Sequence, residues 1–113
     1  MSKISTHVLD IVLGKPASGM EIILFSLNKG QRIELASGRT NDNGNIENLC
    51  TKNSTLENGT YCLHFSTGEY FLKNRISEFY PYVEVAFNIE GNQPNYHIPL
   101  VLSPFGYSTY RGS

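Results

Sequence analysis

Three histidines are the side chains of this sequence best suited to acid–base chemistry, because imidazole titrates near neutral pH without a perturbing environment. His7 lies in an alternating apolar stretch near the start of the chain, and His97 lies in a second such stretch near its end. His64 alternates with core-type residues and is expected to face solvent. Taken singly, each is more typical of a structural or surface histidine. The residues alone therefore allow a site built on His7 and His97 without naming its substrate.

Arg39 and the last residues of the sequence could add further polar groups. An arginine just before a turn, as Arg39 is, usually lies in solvent. Its functional alternative is a cationic donor that holds an oxygen-rich ligand or a developing oxyanion. Tyr110, Arg111 and Ser113 form a dense set of hydrogen-bonding groups. Although chain ends commonly fray, we expect this aromatic-bearing end to be docked.

Other kinds of catalytic site lack a matching motif. The histidine spacing shows no metal-binding pattern, such as two histidines one helical turn apart, and Cys50 and Cys62 are not in a CxxC arrangement. Neither a Ser-His-Asp or Cys-His signature nor a GxGxxG or GxxxxGK[ST] motif is present. The sequence therefore predicts no metal site and no cofactor.

The elements that must position these residues are short strands. Frequent turn signals divide the chain into segments rich in β-branched and aromatic residues, a pattern typical of a β-sandwich or barrel. We predict strands near residues 4–12, 20–28, 32–39, 45–49, 59–65, 83–89 and 96–102, with a further strand over 107–111. Residues 68–76 break the alternation. There Phe71, Leu72, Arg75 and Ile76 follow a helical spacing, which predicts one short amphipathic helix.

Alternation along the strands turns two of the histidines away from the core. In the first strand Ile4 and Val8 point to one side and His7 points to the other. In the segment 96–102 the even-numbered residues form an apolar face, which leaves His97 on the opposite side. Because both sides of the first strand are largely apolar, we expect both to be covered, the second at a subunit interface.

Length and charge exclude several classes of protein. A chain of 113 residues has the size of a single domain, here residues 1–113, with a modest core. A net charge of -1 provides no basic surface for a phosphate backbone, so nucleic acid is not an expected partner. The longest apolar run, residues 22–25, is too short to cross a bilayer, and the first residues lack the apolar stretch of a secretory signal. We therefore expect no membrane partner and a cytoplasmic location.

Motifs at both ends of the chain resemble those of the transthyretin-related family. The opening motif is Ile4-Ser5-Thr6-His7-Val8-Leu9-Asp10, followed by Gly14-Lys15-Pro16-Ala17. The closing motif begins Tyr96-His97-Ile98-Pro99 and ends Tyr110-Arg111-Gly112-Ser113. Between them, Gly38-Arg39-Thr40 with Asp42 and Gly44 resembles the family's central arginine segment. The resemblance extends over essentially the whole chain.

The resemblance implies an all-β fold, a transthyretin-like sandwich of two four-stranded sheets with one short helix. It also implies a homotetramer. In that assembly, pairs of subunits join edge to edge, and the active sites lie in the channel at the dimer–dimer interface.

Two functions occur in this family, hydrolysis of 5-hydroxyisourate and transport of thyroid hormone. The carriers have lysine where this chain has His7, and they lack the ending Tyr110-Arg111-Gly112-Ser113. The resemblance therefore implies a hydrolase of urate catabolism that converts 5-hydroxyisourate into 2-oxo-4-hydroxy-4-carboxy-5-ureidoimidazoline. The alternative is a non-catalytic carrier of small ligands.

By the same resemblance, the expected catalytic residues are His7, Arg39, His97 and Ser113. The expected substrate contacts are His7, Arg39, Tyr110, Arg111 and Ser113. A histidine, preferably His7, would take a proton from water, and His97 would orient water or substrate. Arg39 would stabilise the developing negative charge, and Ser113 would hydrogen-bond substrate or water. This scheme requires no cofactor.

Overall fold

The computed structural model describes residues 3–49, 56–91 and 95–112. Within these ranges the chain forms nine strands, one α-helix and one 3-10 turn. The strands are β1 (Lys3–Asp10), β2 (Lys15–Pro16), β3 (Glu21–Ser26), β4 (Ile33–Arg39), β5 (Asn45–Ile46), β6 (Gly59–Phe65), β7 (Val83–Ile89), β8 (Asn95–Ser103) and β9 (Gly106–Thr109). The helix is α1 (Thr67–Lys73), and the 3-10 turn covers Asn28–Gly30.

The strands form two sheets, which confirms the predicted sandwich. The first sheet has the order β2-β1-β8-β9, and the two-residue β5 also pairs with β1. In this sheet β1 and β8 are parallel, and the other neighbours are antiparallel. The second sheet is antiparallel throughout and has the order β4-β3-β6-β7. The short β5 is the one addition to the expected pair of four-stranded sheets.

The inward faces of the two sheets share one apolar core. The fully buried members of its strands include Ile4, Val8, Ile22, Leu24, Leu63, Phe65, Ile89 and Leu100. Tyr96, Ile98 and Leu102 are buried as well, so the predicted apolar face of β8 is confirmed. Since strands alternate, the residues between these positions form the outer faces of the sandwich.

The first strand ends at Asp10, two residues earlier than predicted. The buried Asp10 carboxylate accepts hydrogen bonds from Val12 N at 2.9 Å and Leu13 N at 3.2 Å. A side chain that binds the next backbone amides favours a turn over continued strand pairing. The second oxygen of the Asp10 carboxylate accepts a hydrogen bond from the Tyr70 hydroxyl at 2.7 Å. Burial raises the pKa of that hydroxyl. This carboxylate therefore joins α1 to the strand that carries His7.

The helix lies where the sequence predicts it but ends earlier, at Lys73. Tyr70 and Phe71 face the core, whereas Leu72, a member of the predicted helical spacing, is exposed. Arg75, another member of that spacing, has a positive φ of 57° and lies outside the helix. Within the described part of the chain, no helix has the length and apolar character needed to cross a membrane.

Candidate functional site

His7 and His97 lie on one surface, the outward side of the first sheet, which we call the first outer face. They come from neighbouring parallel strands, in which Ser5 pairs with His97 and His7 pairs with Pro99. Strands lie about 4.8 Å apart and two residues span about 6.6 Å, which puts the two histidine Cα atoms roughly 8 Å apart. Both side chains are half-buried. A small planar ligand on this face could therefore contact both imidazoles.

The His97 imidazole has a hydroxyl partner on the same face. Ser5 Oγ lies 2.8 Å from His97 Nδ1. Paired residues of neighbouring strands point to the same side, so this contact follows from the register of β1 and β8. The ring nitrogens of His7, by contrast, have no hydrogen-bond partner among the described residues. That ring is left available to a ligand.

The end of the chain is docked beside His97. Gly112 N donates a hydrogen bond to His97 O at 2.8 Å, and Thr109 Oγ1 donates to Pro99 O at 2.7 Å. A Cβ at position 112 would lie 2.4 Å from His97 Cδ2, which is too close for any real side chain. The absence of a side chain therefore lets the backbone lie against the imidazole. The predicted docking is confirmed as far as residue 112.

A shallow cavity of about 290 Å³ opens beside His97 on this face. It is lined by Lys3, Ser5, Thr6, Asn45, Ile46, Glu47 and His97. Asn45 is also the direct partner of His7 in the pairing of β1 with β5. Ile46 packs against the core, so alternation turns the Asn45 carboxamide outward. A carboxamide beside an imidazole offers both a donor and an acceptor to the edge of a cyclic amide.

Arg111 and Tyr110 line one groove together with His97, whereas His7 is not part of that groove. The Arg111 guanidinium carbon lies 5.2 Å from the centroid of the buried Tyr96 ring, within the range of a cation–π contact. The groove has a volume of about 310 Å³ and lies between β7 and the end of the chain. Tyr110 is exposed, and Ser113 lies outside the described residues. Arg111 is therefore placed to anchor the tail that lies on His97.

The structure does not bring Arg39 to the histidines. A Cβ on its neighbour Gly38 would contact the core residue Ile46 at 3.5 Å, so alternation turns Arg39 outward from the second sheet. Its Nη1 donates to Gly19 O at 3.0 Å and to Glu69 Oε1 at 3.1 Å. The outer faces of the two sheets lie on opposite sides of the core. Arg39 therefore cannot reach a ligand held between the two histidines of the same chain.

His64 lies on the outward side of the second sheet, which we call the second outer face. Its Nδ1 lies 2.7 Å from Glu84 Oε2, and its ring stacks on Tyr82 with centroids 4.9 Å apart. Glu84 also binds Arg32, whose hydrogen bond lowers the pKa of Glu84 and is the main cause of a raised Arg32 pKa. The His64 side chain is only 21% exposed. His64 therefore lies on the outward side of its sheet, as predicted, and Glu84 and Tyr82 leave it half-buried there.

Sequence reasoning missed two residues of the first outer face, Ser5 and Asn45. Alternation with His7 already indicates the face on which Ser5 lies. Its contact with His97 depends on the pairing of strands 92 residues apart, which no local pattern shows. Asn45 lies in a two-residue strand after a turn, and nothing in its neighbourhood indicates that it pairs with His7. Together these side chains are suited to proton transfer and to hydrogen bonding with a carbonyl.

No group of three or more histidine, cysteine or acidic residues could hold a metal ion within residues 3–49, 56–91 and 95–112.

Comparison with known proteins gives matches along the whole fold. Residues 4–112 match the model of the HIUase/transthyretin family. A probable 5-hydroxyisourate hydrolase of Caenorhabditis elegans is 46% identical over 112 residues, which cover 99% of this chain and 82% of that relative.

Solved structures of a 5-hydroxyisourate hydrolase and of a transthyretin in complex with thyroxine share the fold. The 5-hydroxyisourate hydrolase of Klebsiella pneumoniae has a TM-score of 0.87 at 34% identity, with all of both chains covered. Sea bream transthyretin in complex with thyroxine has a TM-score of 0.90 at 28% identity, covering 97% of this chain and 94% of that one. Because the backbone matches both equally well, only the side chains can separate the two functions.

Proposed function

The chain belongs to the HIUase/transthyretin family, and from that membership we propose that it is a 5-hydroxyisourate hydrolase. Residues 1–113 act as one hydrolase domain that opens the substrate ring with water and forms 2-oxo-4-hydroxy-4-carboxy-5-ureidoimidazoline. The observation that carries the proposal is the presence of His7 and His97 on one outer face. The 46% identity to a probable 5-hydroxyisourate hydrolase of Caenorhabditis elegans supports the proposal.

The first chemical step is the attack of water on a carbonyl of the cyclic amide. Water is a weak nucleophile, and amide resonance opposes the attack. His7 takes the proton from water as the new C–O bond forms, which contributes about 10²–10⁴-fold in rate for a well-placed base. His7 suits this role because its ring nitrogens make no hydrogen bond to the described residues.

The second step breaks the ring C–N bond. The electron pair of that bond goes to the nitrogen, and the protonated His7 returns the proton to it. The tetrahedral intermediate between these steps carries negative charge on the former carbonyl oxygen. Donors aimed at that oxygen stabilise it more than they stabilise the substrate.

Hydrogen-bonding groups around the histidines hold the substrate. We assign this role to His97, to Asn45 beside His7 and to Ser113, which follows the docked Gly112. Tyr110 and Arg111 place the end of the chain, Arg111 through its contact with Tyr96. Arg39 is left out of this set because it pairs with Glu69 on the second outer face. No cofactor takes part.

A homotetramer is part of the proposal, with active sites between pairs of subunits. The edge strands β7 and β9 can pair with a second copy, since free edges are templates for strand addition. Ile11, Val12, Phe105, Tyr107 and Tyr110 are large apolar or aromatic side chains exposed in the single chain. Such exposure favours burial against further subunits.

We also place the enzyme in the cytoplasm. The buried thiol of Cys62 is free, which suits a reducing compartment. Cell fractionation with an antibody against the protein tests this location directly.

The function is tested by an ultraviolet assay with 5-hydroxyisourate generated freshly from urate and urate oxidase. The wild-type protein should accelerate the decay of the substrate signal strongly. His7→Ala should return the decay to near the background rate, because the base is missing. Circular dichroism and sedimentation of both proteins show whether the fold and assembly are preserved.

Background decay with correctly folded wild-type tetramer would remove the hydrolase from consideration. The carrier would then be the better reading, since the fold also matches transthyretin in complex with thyroxine. Thyroxine binding, measured on the same sample, separates these two outcomes.

A further inference from the structure

The contact between Ser5 and His97 determines more than the position of a ring. Neutral imidazole carries its proton on one nitrogen, and the hydrogen bond made by the other nitrogen fixes which one. Ser5 Oγ and His97 Nδ1 are 2.8 Å apart, so they share one hydrogen. The direction of that hydrogen bond decides whether His97 presents an acceptor or a donor at Nε2.

The surroundings favour the serine as the donor. A hydroxyl has one hydrogen to donate and two lone pairs that accept. His97 Nδ1 is the single partner of the Ser5 hydroxyl among the described residues. If Nδ1 donated instead, the hydroxyl hydrogen would have no protein acceptor on a half-buried surface, which carries a free-energy cost. The serine hydrogen therefore points to Nδ1, and the imidazole proton is on Nε2.

The docked tail holds the other side of the same ring. Gly112 N binds His97 O at 2.8 Å, and the backbone at 112 lies against Cδ2, the ring atom bonded to Nε2. The ring is thus held at Nδ1 by Ser5 and contacted along its Cγ–Cδ2 edge by the chain end, which leaves Nε2 to the ligand. Rotation of the ring by half a turn would exchange these contacts and lose the hydrogen bond to Ser5.

We propose that Ser5 is a positioning residue that keeps His97 in the Nε2–H form, so that His97 donates a hydrogen bond to the reacting carbonyl oxygen. This inference rests on the proposed hydrolase function. It divides the work of the two histidines: His7 moves the proton, whereas His97 stabilises the oxyanion and exchanges no proton in the reaction. It also supplies a donor on a face that Arg39 does not reach.

The direct test is nitrogen-15 NMR of the histidine rings in the full-length protein at about pH 8, where free imidazole is neutral. We expect the proton of His97 on Nε2 in the wild type and a mixture of both forms in Ser5→Ala. A proton on Nδ1 in the wild type would overturn the proposal. Because this readout needs no substrate, it remains decisive even if the protein proves to have no hydrolase activity.

Kinetics supply a second test. Ser5→Ala should lower kcat by roughly 10- to 100-fold with little change in KM. Without Ser5, His97 no longer presents Nε2–H reliably to the oxyanion, and that hydrogen bond matters mainly in the transition state. Ser5→Thr keeps a hydroxyl and should restore most of kcat together with the wild-type ring form. The matched control is Ser18→Ala, which removes an exposed serine hydroxyl bonded to Asp42 and should change neither readout. A kcat of Ser5→Ala equal to that of the wild type would count against the proposal.

Discussion

The two outer faces of the sandwich use the same residue type in opposite ways. On the second face, His64 is bound to a carboxylate that also binds Arg32, and its ring is stacked on Tyr82. On the first face, His97 has a neutral hydroxyl partner, and His7 has no hydrogen-bond partner among the described residues. The histidine of the second face is held at Nδ1 by a carboxylate and on its ring face by Tyr82. Those of the first face keep nitrogen atoms available for chemistry.

The difference shows that the partner of a histidine says more about its role than the histidine itself. A carboxylate partner fixes charge and contributes to stability. A hydroxyl partner fixes which ring nitrogen carries the proton.

The largest expected difference in kcat/KM is between the alanine variants of His97 on the first face and His64 on the second. His97→Ala should lower kcat/KM by about 10²–10³-fold, because a donor to the oxyanion is lost. His64→Ala should change kcat/KM by less than about twofold, because its contacts lie on the other face. The 5-hydroxyisourate decay assay measures both. A comparable loss of activity in the two variants would break the distinction between the faces.

A smaller effect is expected from the glycine that lies on the His97 ring. Gly112→Ala places a Cβ 2.4 Å from His97 Cδ2, so either the tail or the ring must move. A displacement of about 1 Å in a catalytic group can cost about 100-fold, and we expect kcat to fall by about 10- to 100-fold. Gly106→Ala is the control, because the nearest atom to its Cβ is 3.9 Å away. Equal activity of both alanine variants would show that the tail does not determine the position of the His97 imidazole.

The alanine variants of Arg111 and Arg39 should differ less in kcat/KM than the variants described above. Arg111→Ala removes the contact with Tyr96, which is worth about 0.5–2 kcal/mol, and should lower kcat/KM severalfold by loosening the tail. Arg39→Ala removes an exposed ion pair with Glu69 and should leave kcat/KM within about twofold. Steady-state kinetics of the two variants decide the order. A larger loss in Arg39→Ala would return Arg39 to the catalytic set.

The smallest effect concerns stability on the second face. Arg32 lowers the pKa of Glu84 from its ordinary value of 4.5, so the folded state favours the charged carboxylate. This stabilisation is present above pH 4.5 and is lost as the pH falls through the lowered pKa. Glu84→Gln should therefore reduce the free energy of unfolding by up to about 1 kcal/mol at pH 7, with a smaller difference at pH 3.

Urea unfolding of the wild type and Glu84→Gln at the two pH values measures that difference. The hydrolase activity of the variant at pH 7 should match that of the wild type. A stability difference that grows as the pH falls would contradict the assigned sign.

Alternation in the sequence was enough to predict which way His7 and His97 point. The side of a strand residue follows from its neighbours, and Ile4, Val8 and the even-numbered residues of β8 are buried as expected. The same reasoning puts His64 on the outer side of β6, but it does not show the contact with Glu84 on β7, which depends on the register between two strands. Partners across strands are decided by tertiary pairing, which single-strand patterns do not contain.

The arginine segment shows a different limit. Resemblance to a family assigned Arg39 to the site from its position along the chain. The direction of its side chain depends on Gly38, whose missing Cβ faces Ile46 in the core. Asn45, six positions further along the chain, is the residue that lies beside His7. Position in a motif indicates this segment of the chain, and the strand geometry places Asn45, not Arg39, beside His7.

The parallel pairing of β1 with β8 also determines when the site can form during synthesis. Ser5 and His97 are 92 residues apart, whereas the four strands of the second sheet all lie between Glu21 and Ile89. At about 5–20 residues per second, a ribosome leaves β1 without its parallel neighbour for roughly 5–18 seconds. During that interval Ile4 and Val8, which are fully buried in the folded protein, have no β8 to pack beside them. The first strand is therefore without its parallel neighbour until β8 has been synthesised, and the histidine pair is completed only then.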